Sequence, residues 1–176
     1  IPSRRREFAA GRRAARDAMA TFDVPGTAIF PGPDRAPIWP DGITGSISHG
    51  GGTCLALVAR RGAITGLGID IEPAEVLPAD MVETVCTGPE RAAVKDHDLM
   101  GRVIFCAKEA AYKAQYPLSR EMLEFHDLET GIDLDKRQFE ARFTRACPPF
   151  QAGARMVGRI VIAQGLVAAV VVLSAP

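Results

Sequence analysis

The sequence predicts an α+β fold in which each half contributes a helix followed by antiparallel strands. Residues 1–22 and 99–115 have helical patterns. After each of them come short segments with the alternation and turn residues that are typical of strands. We place the join between the halves near Pro73, which gives an N-terminal part of residues 1–73 and a C-terminal part of residues 74–176.

The composition is that of an ordinary globular protein without a strong overall charge. Its 21 Lys and Arg residues balance 21 Asp and Glu residues, so the net charge gives no general attraction to nucleic acid or membrane. The four cysteines lack metal-ligand or redox spacing, which favours free thiols in a reducing cytoplasm. No signal peptide is recognisable, and Gln164 and Gly165 interrupt the most apolar segment, residues 160–173. We expect a cytoplasmic protein that binds neither nucleic acid nor membrane.

The first helix, residues 1–22, is basic. Phe8 belongs to its apolar side, whereas Arg4, Arg12 and Arg16 recur at helical spacing on another face. Such a face is usually a solvated surface, but guanidinium groups also suit bidentate phosphate contacts.

Residues 24–41 are rich in Pro and Gly, and apolar anchors such as Trp39 predict an ordered loop there. Three strands are expected next, at residues 43–48, 53–60 and 63–72. The Arg61-Gly62 pair predicts a short hairpin between the second and the third. We expect all three strands in one antiparallel sheet, with the third as its last member.

Two acidic residues stand side by side in the third of these strands. Period-two alternation places Asp70 and Glu72 on one face and three apolar residues on the other. Neighbouring carboxylates repel each other unless a cation lies between them. Oxygen ligands without His or Cys suit Mg²⁺ or Mn²⁺.

The helix of residues 99–115 contains a second charged group. Glu109, Tyr112 and Lys113 share one stripe of this helix, with Lys108 at its edge. Alone, the Glu–Lys pair would be a solvated contact worth about 0.2–0.5 kcal/mol. Together with the acidic strand, Glu109 would complete an open metal site that takes substrate phosphate oxygens.

The rest of the C-terminal half is predicted as loops and short helices at residues 74–100 and as strands beyond the central helix. Thr87 and Pro89 mark one helix start, and Pro117 is expected to stop the central helix. The later strands are expected at residues 128–134, 139–143, 158–163 and 166–172.

The order and spacing of these motifs resemble the 4′-phosphopantetheinyl transferases. The matching segments are Trp39-Pro40-Asp41-Gly42, Gly45-Ser46-Ile47-Ser48-His49, Gly68-Ile69-Asp70-Ile71-Glu72 and Phe105-Cys106-Ala107-Lys108-Glu109-Ala110-Ala111-Tyr112-Lys113. They point to the larger type that activates siderophore, polyketide and fatty-acid synthases. The resemblance implies two similar α/β halves with antiparallel sheets related by a pseudo-twofold. Members of the family usually carry residues before the first helix, so we expect that an N-terminal segment is missing here.

The resemblance also implies a reaction. The 4′-phosphopantetheine group of the co-substrate coenzyme A would move to a serine of an apo acyl or peptidyl carrier protein, with release of 3′,5′-ADP. Asp70 and Glu109 would hold Mg²⁺, with Glu72 as a third or water-mediated ligand. Lys108 and Lys113 would contact the phosphates. Glu109, directly or through a metal-bound water, would accept the serine proton.

Further residues are implied to bind the coenzyme and the carrier protein. Arg4 and Arg12 would reach the coenzyme's phosphates, and Ser48 and His49 would contact its 3′-phosphate. Arg35 would replace a lysine that relatives often carry in the Pro-rich segment. The carrier protein would contact apolar residues such as Met81, Val82 and Val85, although the same residues could instead belong to the core. Because a pseudo-dimer has less need to dimerise, we expect a monomer.

Two other functions remain open at this point. A metal-dependent phosphohydrolase of a nucleotide or coenzyme would use the same carboxylates with water as the nucleophile, and it would release pantetheine phosphate without any carrier protein. A non-enzymatic nucleotide-binding or regulatory module would carry the acidic residues as structural groups only, and it would not bind Mg²⁺ with coenzyme A.

Overall fold

The computed structural model describes residues 2–24 and 26–175, and the side chains of the first helix from Arg5 onward. The helices in this part of the chain are α1 (Pro2–Ala20), α2 (Ala79–Val85), α3 (Gly88–Asp96) and α4 (Met100–Ser119), with a 3₁₀ turn at Phe125–Asp127. The strands are β1 (Ile43–Gly50), β2 (Thr53–Arg60), β3 (Ile64–Pro73), β4 (Leu128–Asp133), β5 (Gln138–Phe143), β6 (Arg155–Ala163) and β7 (Leu166–Ser174).

The α+β class with antiparallel sheets is confirmed, and each half packs one long helix against strands. In the N-terminal half, α1 packs on β1 and β2, and Ala15, Met19 and Ile43 are buried between them. The C-terminal helix α4 packs on β7 of its own half and on β3 of the N-terminal half, over a larger core. Among the described residues, no helix has the length and apolar character needed to cross a bilayer.

The sheet membership of the acidic strand differs from the expectation. β1 and β2 form a two-stranded sheet, whereas β3 pairs with β7 in a five-stranded sheet of order β3-β7-β6-β5-β4. One sheet of three N-terminal strands is therefore wrong, and Arg61-Gly62 does not close a hairpin. The physical reason is that β7 offers β3 an apolar partner along its length, from Ile64 opposite Ser174 to Pro73 opposite Leu166. The division of the chain at Pro73 stays a prediction. Across that division, β3 pairs with β7 of the C-terminal part.

Small residues bring α4 very close to β3. A Cβ atom at Gly68 would lie 1.8 Å from the Ala110 carbonyl oxygen, and one at Gly66 would lie 2.3 Å from that of Ala114. Because alternate residues of a strand share a face, Asp70 and Glu72 lie on the same side as these glycines. The packing of glycine against helix backbone therefore turns the two carboxylates toward α4.

The helix boundaries confirm one expectation and correct another. Thr87 caps α3 in a capping box in which the Glu90 side chain accepts a hydrogen bond from the Thr87 N–H at 2.7 Å. Pro117 does not stop α4, which continues to Ser119 and ends at Arg120 in the left-handed region with φ 59°. A proline removes one backbone N–H donor. Near the end of a long helix, the loss of this one hydrogen bond does not outweigh the packing of the last turn.

Candidate active site

Asp70 stands where β1, β3 and α4 meet. Its side chain is 3% exposed, and its Oδ1 accepts hydrogen bonds from Ser48 Oγ and Lys113 Nζ, both at 2.7 Å. Lys113 Nζ also donates to Ser48 Oγ and to the Ile69 carbonyl, each at 3.2 Å. The predicted pairing of the acidic strand with the central helix is thus present as a direct ion pair.

The second oxygen of Asp70 has a different environment. Asp70 Oδ2 is buried and has no hydrogen-bond partner within the described part of the chain. A buried carboxylate oxygen without a partner carries a large desolvation cost unless a ligand or cation satisfies it. This atom therefore fits a metal ligand better than a structural contact.

Glu72 and Glu109 lie near enough to Asp70 to feel its charge. Burial, and then the repulsion from Asp70, raise the pKa of Glu72, although Arg102 Nη1 donates to its Oε2 at 3.0 Å. Burial also raises the pKa of Glu109; Lys113 lowers it, and the charges of Asp70 and Glu72 raise it further. Such mutual repulsion among carboxylates is what a bound cation would relieve.

The predicted metal ligands do not form a finished coordination set. Within residues 2–24 and 26–175, no group of three His, Cys, Asp or Glu side chains has the arrangement of a metal site. Lys113 occupies Asp70 Oδ1, and Arg102 occupies Glu72 Oε2. Among the oxygens of Asp70 and Glu72, Asp70 Oδ2 is therefore the one that would be available to a divalent ion.

A cleft of about 760 Å³ lies between the two halves, next to Lys113. It is lined by α1, the Pro-rich loop and β1 on one side and by the last turns of α4 on the other. Its basic lining residues are Arg12, Arg35, His49, Arg61, Lys113 and Arg120. Its acidic lining residues are Glu7 and Asp34. This excess of cations suits a ligand with several phosphates.

Four of the residues predicted to bind the coenzyme line this cleft: Arg12, Arg35, His49 and Lys113. Arg12 has no carboxylate partner among the described residues; its Nε donates to the Ile29 carbonyl at 3.0 Å, and partial burial lowers its pKa. His49 Nδ1 lies 3.9 Å from Glu7 Oε2. Arg35 lies in the left-handed region with φ 66°. The side chain of Arg4, also predicted here, falls outside the described residues.

Ser48 and Lys108 do not lie where the resemblance implied. Ser48 is 6% exposed, does not line the cleft, and donates to Asp70 instead of facing a phosphate. Lys108 is 1% exposed, and its Nζ donates to the carbonyls of Val85 and Phe125 and to Glu90 Oε2, at 2.7–2.8 Å. All three of its donors are used, so a phosphate contact from Lys108 does not agree with this structure.

The buried Lys108–Glu90 pair explains why a lysine of the motif turns inward. Burial alone would raise the pKa of Glu90, but the hydrogen bonds and charge of Lys108 lower it below its usual range. Glu90 Oε1 also accepts from the N–H and hydroxyl of Thr130. The pair therefore joins α3, α4 and β4 and supports the helix that carries Glu109.

The apolar residues proposed for carrier-protein contact belong largely to the core. Val85 is fully buried, and Met81 and Val82 pack against the same cluster around Ile104. Val85 is therefore not available to a partner, whereas for the half-buried Met81 and Val82 the contact stays a prediction.

A second cavity of about 530 Å³ lies on the other side of Tyr112. Glu109 and Tyr112 line it together with apolar side chains of the segment after α4, among them Met122, Leu123 and Phe125. Tyr112 lines both cavities and donates its hydroxyl to Met122 Sδ at 2.8 Å. Glu109 and Lys113, one helical turn apart, thus face an apolar cavity and a cationic cleft respectively.

Several residues of the site were not predicted, and they carry weak sequence signals. Arg61 follows Arg60 at the end of β2, Arg102 precedes the helix motif, and Arg120 lies three residues after Pro117. Tyr116 and Asp34 meet across the cleft although 82 positions separate them. Only the predicted stripe of α4, extended by one more turn, would have pointed to Tyr116.

Comparison with known proteins identifies the family. The family model described as the 4′-phosphopantetheinyl transferase N-terminal domain matches residues 1–59, and that of the 4′-phosphopantetheinyl transferase superfamily matches residues 66–169. The chain therefore belongs to the 4′-phosphopantetheinyl transferase superfamily. This confirms the resemblance and the enzyme class that it implied, with coenzyme A as co-substrate.

The relatives differ in how much of their length this chain covers. 4′-Phosphopantetheinyl transferase PptT of Mycobacterium tuberculosis is 35% identical over 98% of this chain and 81% of its own length. 4′-Phosphopantetheinyl transferase Svp of Streptomyces mobaraensis is 36% identical over 100% of this chain and 75% of its own. Enterobactin synthase component D of Salmonella typhimurium is 36% identical over 63% of this chain and 48% of its own length.

Proposed function

We propose that this protein transfers the 4′-phosphopantetheine group of coenzyme A to a serine hydroxyl of an apo acyl or peptidyl carrier protein, in a Mg²⁺-dependent reaction that releases 3′,5′-ADP. The observation that carries the site assignment is the convergence of Asp70, Lys113 and Glu109 beside a cationic cleft between the halves. Family membership supports the reaction class.

The diphosphate would lie at the end of the cleft next to Lys113. Arg12, Arg35 and His49 line the same cleft and would bind the phosphates of the nucleotide end. Lys113 would exchange its contact with Asp70 for a phosphate oxygen. Its charge would then stabilise the negative charge that develops on the leaving group.

Asp70, Glu72 and Glu109 would hold the divalent ion, and the unpartnered Asp70 Oδ2 supports this assignment most directly. When bound, Mg²⁺ or Mn²⁺ would supply charge neutralisation at the diphosphate. Ser48 would orient Asp70 through its hydrogen bond to Oδ1, leaving Oδ2 directed at the ion.

Glu109 would accept the proton of the attacking serine. Burial and neighbouring carboxylates raise its pKa, which makes it a stronger base than an exposed glutamate. The apolar cavity beside Glu109 and Tyr112 has room for the pantetheine arm, which must extend from the diphosphate on that side. The serine belongs to the carrier protein, so no activated nucleophile is needed in this chain.

The test mixes the protein with Mg²⁺, coenzyme A and several apo acyl and peptidyl carrier proteins, and measures the mass of each carrier protein. We expect at least one to gain a 4′-phosphopantetheine group. Asp70→Asn should lower the rate by about 100-fold or more, because the variant loses the charge that would hold the ion. Its affinity for coenzyme A should stay close to that of the wild type.

Asp98→Asn, the same substitution at an exposed turn, is the control and should leave the rate unchanged. Full activity of Asp70→Asn in Mg²⁺ would remove the assigned metal site. Release of pantetheine phosphate without mass gain on any carrier protein would instead identify a phosphohydrolase.

A further inference from the structure

The Pro-rich loop contains a closed turn at residues 31–37, which we call the Asp34 turn. Pro31 and Pro37 form an antiparallel bridge at its base. Inside it, the Gly32 N–H donates to the Ala36 carbonyl at 2.7 Å, and the Ala36 N–H donates to Asp34 Oδ1 at 3.0 Å. The turn is therefore held by its own hydrogen bonds.

The Asp34 turn is fastened to the opposite half of the protein. The Tyr116 hydroxyl donates to Asp34 Oδ2 at 2.8 Å, and Arg120 Nη1 lies 3.7 Å from the same oxygen. This hydrogen bond is the main cause of both the lowered pKa of Asp34 and the raised pKa of Tyr116. Since Tyr116 and Arg120 are at the C-terminal end of α4, the contact bridges the mouth of the cationic cleft.

The position of the contact links it to ligand binding. Asp34, Tyr116 and Arg120 all line the cleft, and so does Arg35, the residue after Asp34. Arg35 has no ion-pair partner among the described residues. Because it follows Asp34 in the turn, with φ 66°, the contacts that hold the turn also set the position of Arg35. Tyr116 in turn packs against Tyr112, with ring centroids 5.7 Å apart.

We propose that the Asp34–Tyr116 hydrogen bond is a latch that holds the cleft closed around an anionic nucleotide and keeps Arg35 directed into it. This inference rests on the proposed function, whose nucleotide end it concerns. Asp34 and Tyr116 are positioning residues: they set how long the nucleotide stays bound, and they take no part in the transfer of the group.

The first test uses Tyr116→Phe, which removes the hydrogen bond without changing any charge. The probe is 3′,5′-ADP, and its dissociation rate and equilibrium affinity are measured with the complete chain. We expect release to be about threefold to tenfold faster, the effect of losing one typical solvent-exposed hydrogen bond. Because the two residues act as one contact, the Asp34→Asn/Tyr116→Phe double variant should lose no more affinity than the weaker-binding single variant.

The nucleotide affinity of Asp34→Asn distinguishes a latch from a simple electrostatic effect of the Asp34 charge. Removing a carboxylate from the rim of an anion-binding cleft would by electrostatics alone tighten nucleotide binding. The latch predicts the opposite, weaker binding with faster release. Asp133→Asn is the matched control, because Asp133 also accepts a backbone N–H within its turn and pairs with a cation, Lys136, far from the cleft.

A measurement without nucleotide distinguishes failure of the latch from failure of the proposed function. Amide hydrogen exchange at Gly32 and Ala36 should be faster in Tyr116→Phe than in the wild type and unchanged in Asp133→Asn. If the wild type does not bind 3′,5′-ADP, the nucleotide assignment fails while the exchange result still tests the contact. Unchanged exchange and release in Tyr116→Phe, or tighter binding by Asp34→Asn, would overturn the latch.

Discussion

At the scale of single residues, the chemistry depends on what surrounds each carboxylate. Asp70 has one oxygen satisfied by Ser48 and Lys113 and one buried oxygen without a partner. Glu109 has an elevated pKa because burial and two neighbouring acids disfavour its charge. The two carboxylates therefore differ in their surroundings, which supports the separate roles proposed for them as metal ligand and as base.

Glu109→Gln should abolish transfer while preserving or raising stability. A carboxyl group whose pKa is raised by folding contributes stability that is present below its unfolded pKa and is lost as the pH rises through the folded pKa. The amide has no charge to bury, so the melting temperature of the variant relative to wild type should increase as the pH rises from acid to neutral. The measurement is thermal unfolding against pH, with a chelator present and no coenzyme.

A melting-temperature difference that does not change with pH would contradict the assigned burial of the Glu109 charge. Transfer by Glu109→Gln at a rate close to that of the wild type would contradict its role as the base. The two readouts are independent, because one concerns the protein without ligands and the other concerns turnover.

At the scale of secondary-structure elements, the site depends on the close packing of α4 on β3. Glycines on the strand and alanines on the helix let the two backbones approach, and the carboxylates and Lys113 then meet at the end of that contact. On the helix, Lys108 and Glu109 are neighbours, and the rotation of α4 buries the Lys108 side chain and leaves Glu109 more exposed.

Gly68→Ala should destabilise the protein and reduce transfer. Its Cβ would lie 1.8 Å from the Ala110 carbonyl oxygen, so the helix backbone must move away from the strand. Overpacking of this kind costs about 1–3 kcal/mol or more, measured as the free energy of unfolding in denaturant. Gly131→Ala is the control, since a Cβ there meets nothing within 4 Å.

We expect Gly131→Ala to leave stability within a few tenths of a kcal/mol of the wild type or to raise it slightly, roughly the range for a tolerated glycine-to-alanine change. Equal stability of Gly68→Ala and Gly131→Ala would show that α4 does not rest on β3 as described.

At the scale of the whole molecule, the charge is balanced overall but divided in space. The chain has equal numbers of acidic and basic residues, yet the cleft between the halves has five Lys or Arg side chains against two carboxylates. The attraction of an anionic ligand is therefore local to the cleft, and the latch at its mouth joins the halves that form it.

Coenzyme A binding should weaken as salt increases, because part of it comes from these cations. Screening lengths fall from about 10 Å at 0.1 M to about 3 Å at 1 M ionic strength. Dephospho-coenzyme A, which lacks the 3′-phosphate, should show a smaller salt dependence if His49 and its neighbours bind that group. Equal salt dependence of the two ligands, measured by titration calorimetry, would refute the 3′-phosphate contact.

Several features were predictable because they depend on residues close together in the chain. The capping box at Thr87, the period-two strand at Asp70 and the charged stripe of α4 all follow from local spacing. Pro117 shows the limit of such rules, since its local penalty was outweighed by the packing of the last helical turn. Ser48 and Lys108 show it again, because both are buried and donate to residues far away in the chain, Asp70 and Glu90.

The sequence by itself determined the family, the α+β class and the identity of the acidic and basic groups, because each follows from ordered motifs or from local periodicity. The tertiary structure alone decided that β3 pairs with β7, that Lys108 points into the core, and that Tyr116 meets Asp34 across the cleft. These outcomes depend on contacts between residues far apart in the chain. Their energies come from burial and from pairing with distant partners. The sequence neighbours of each residue do not specify who those partners are.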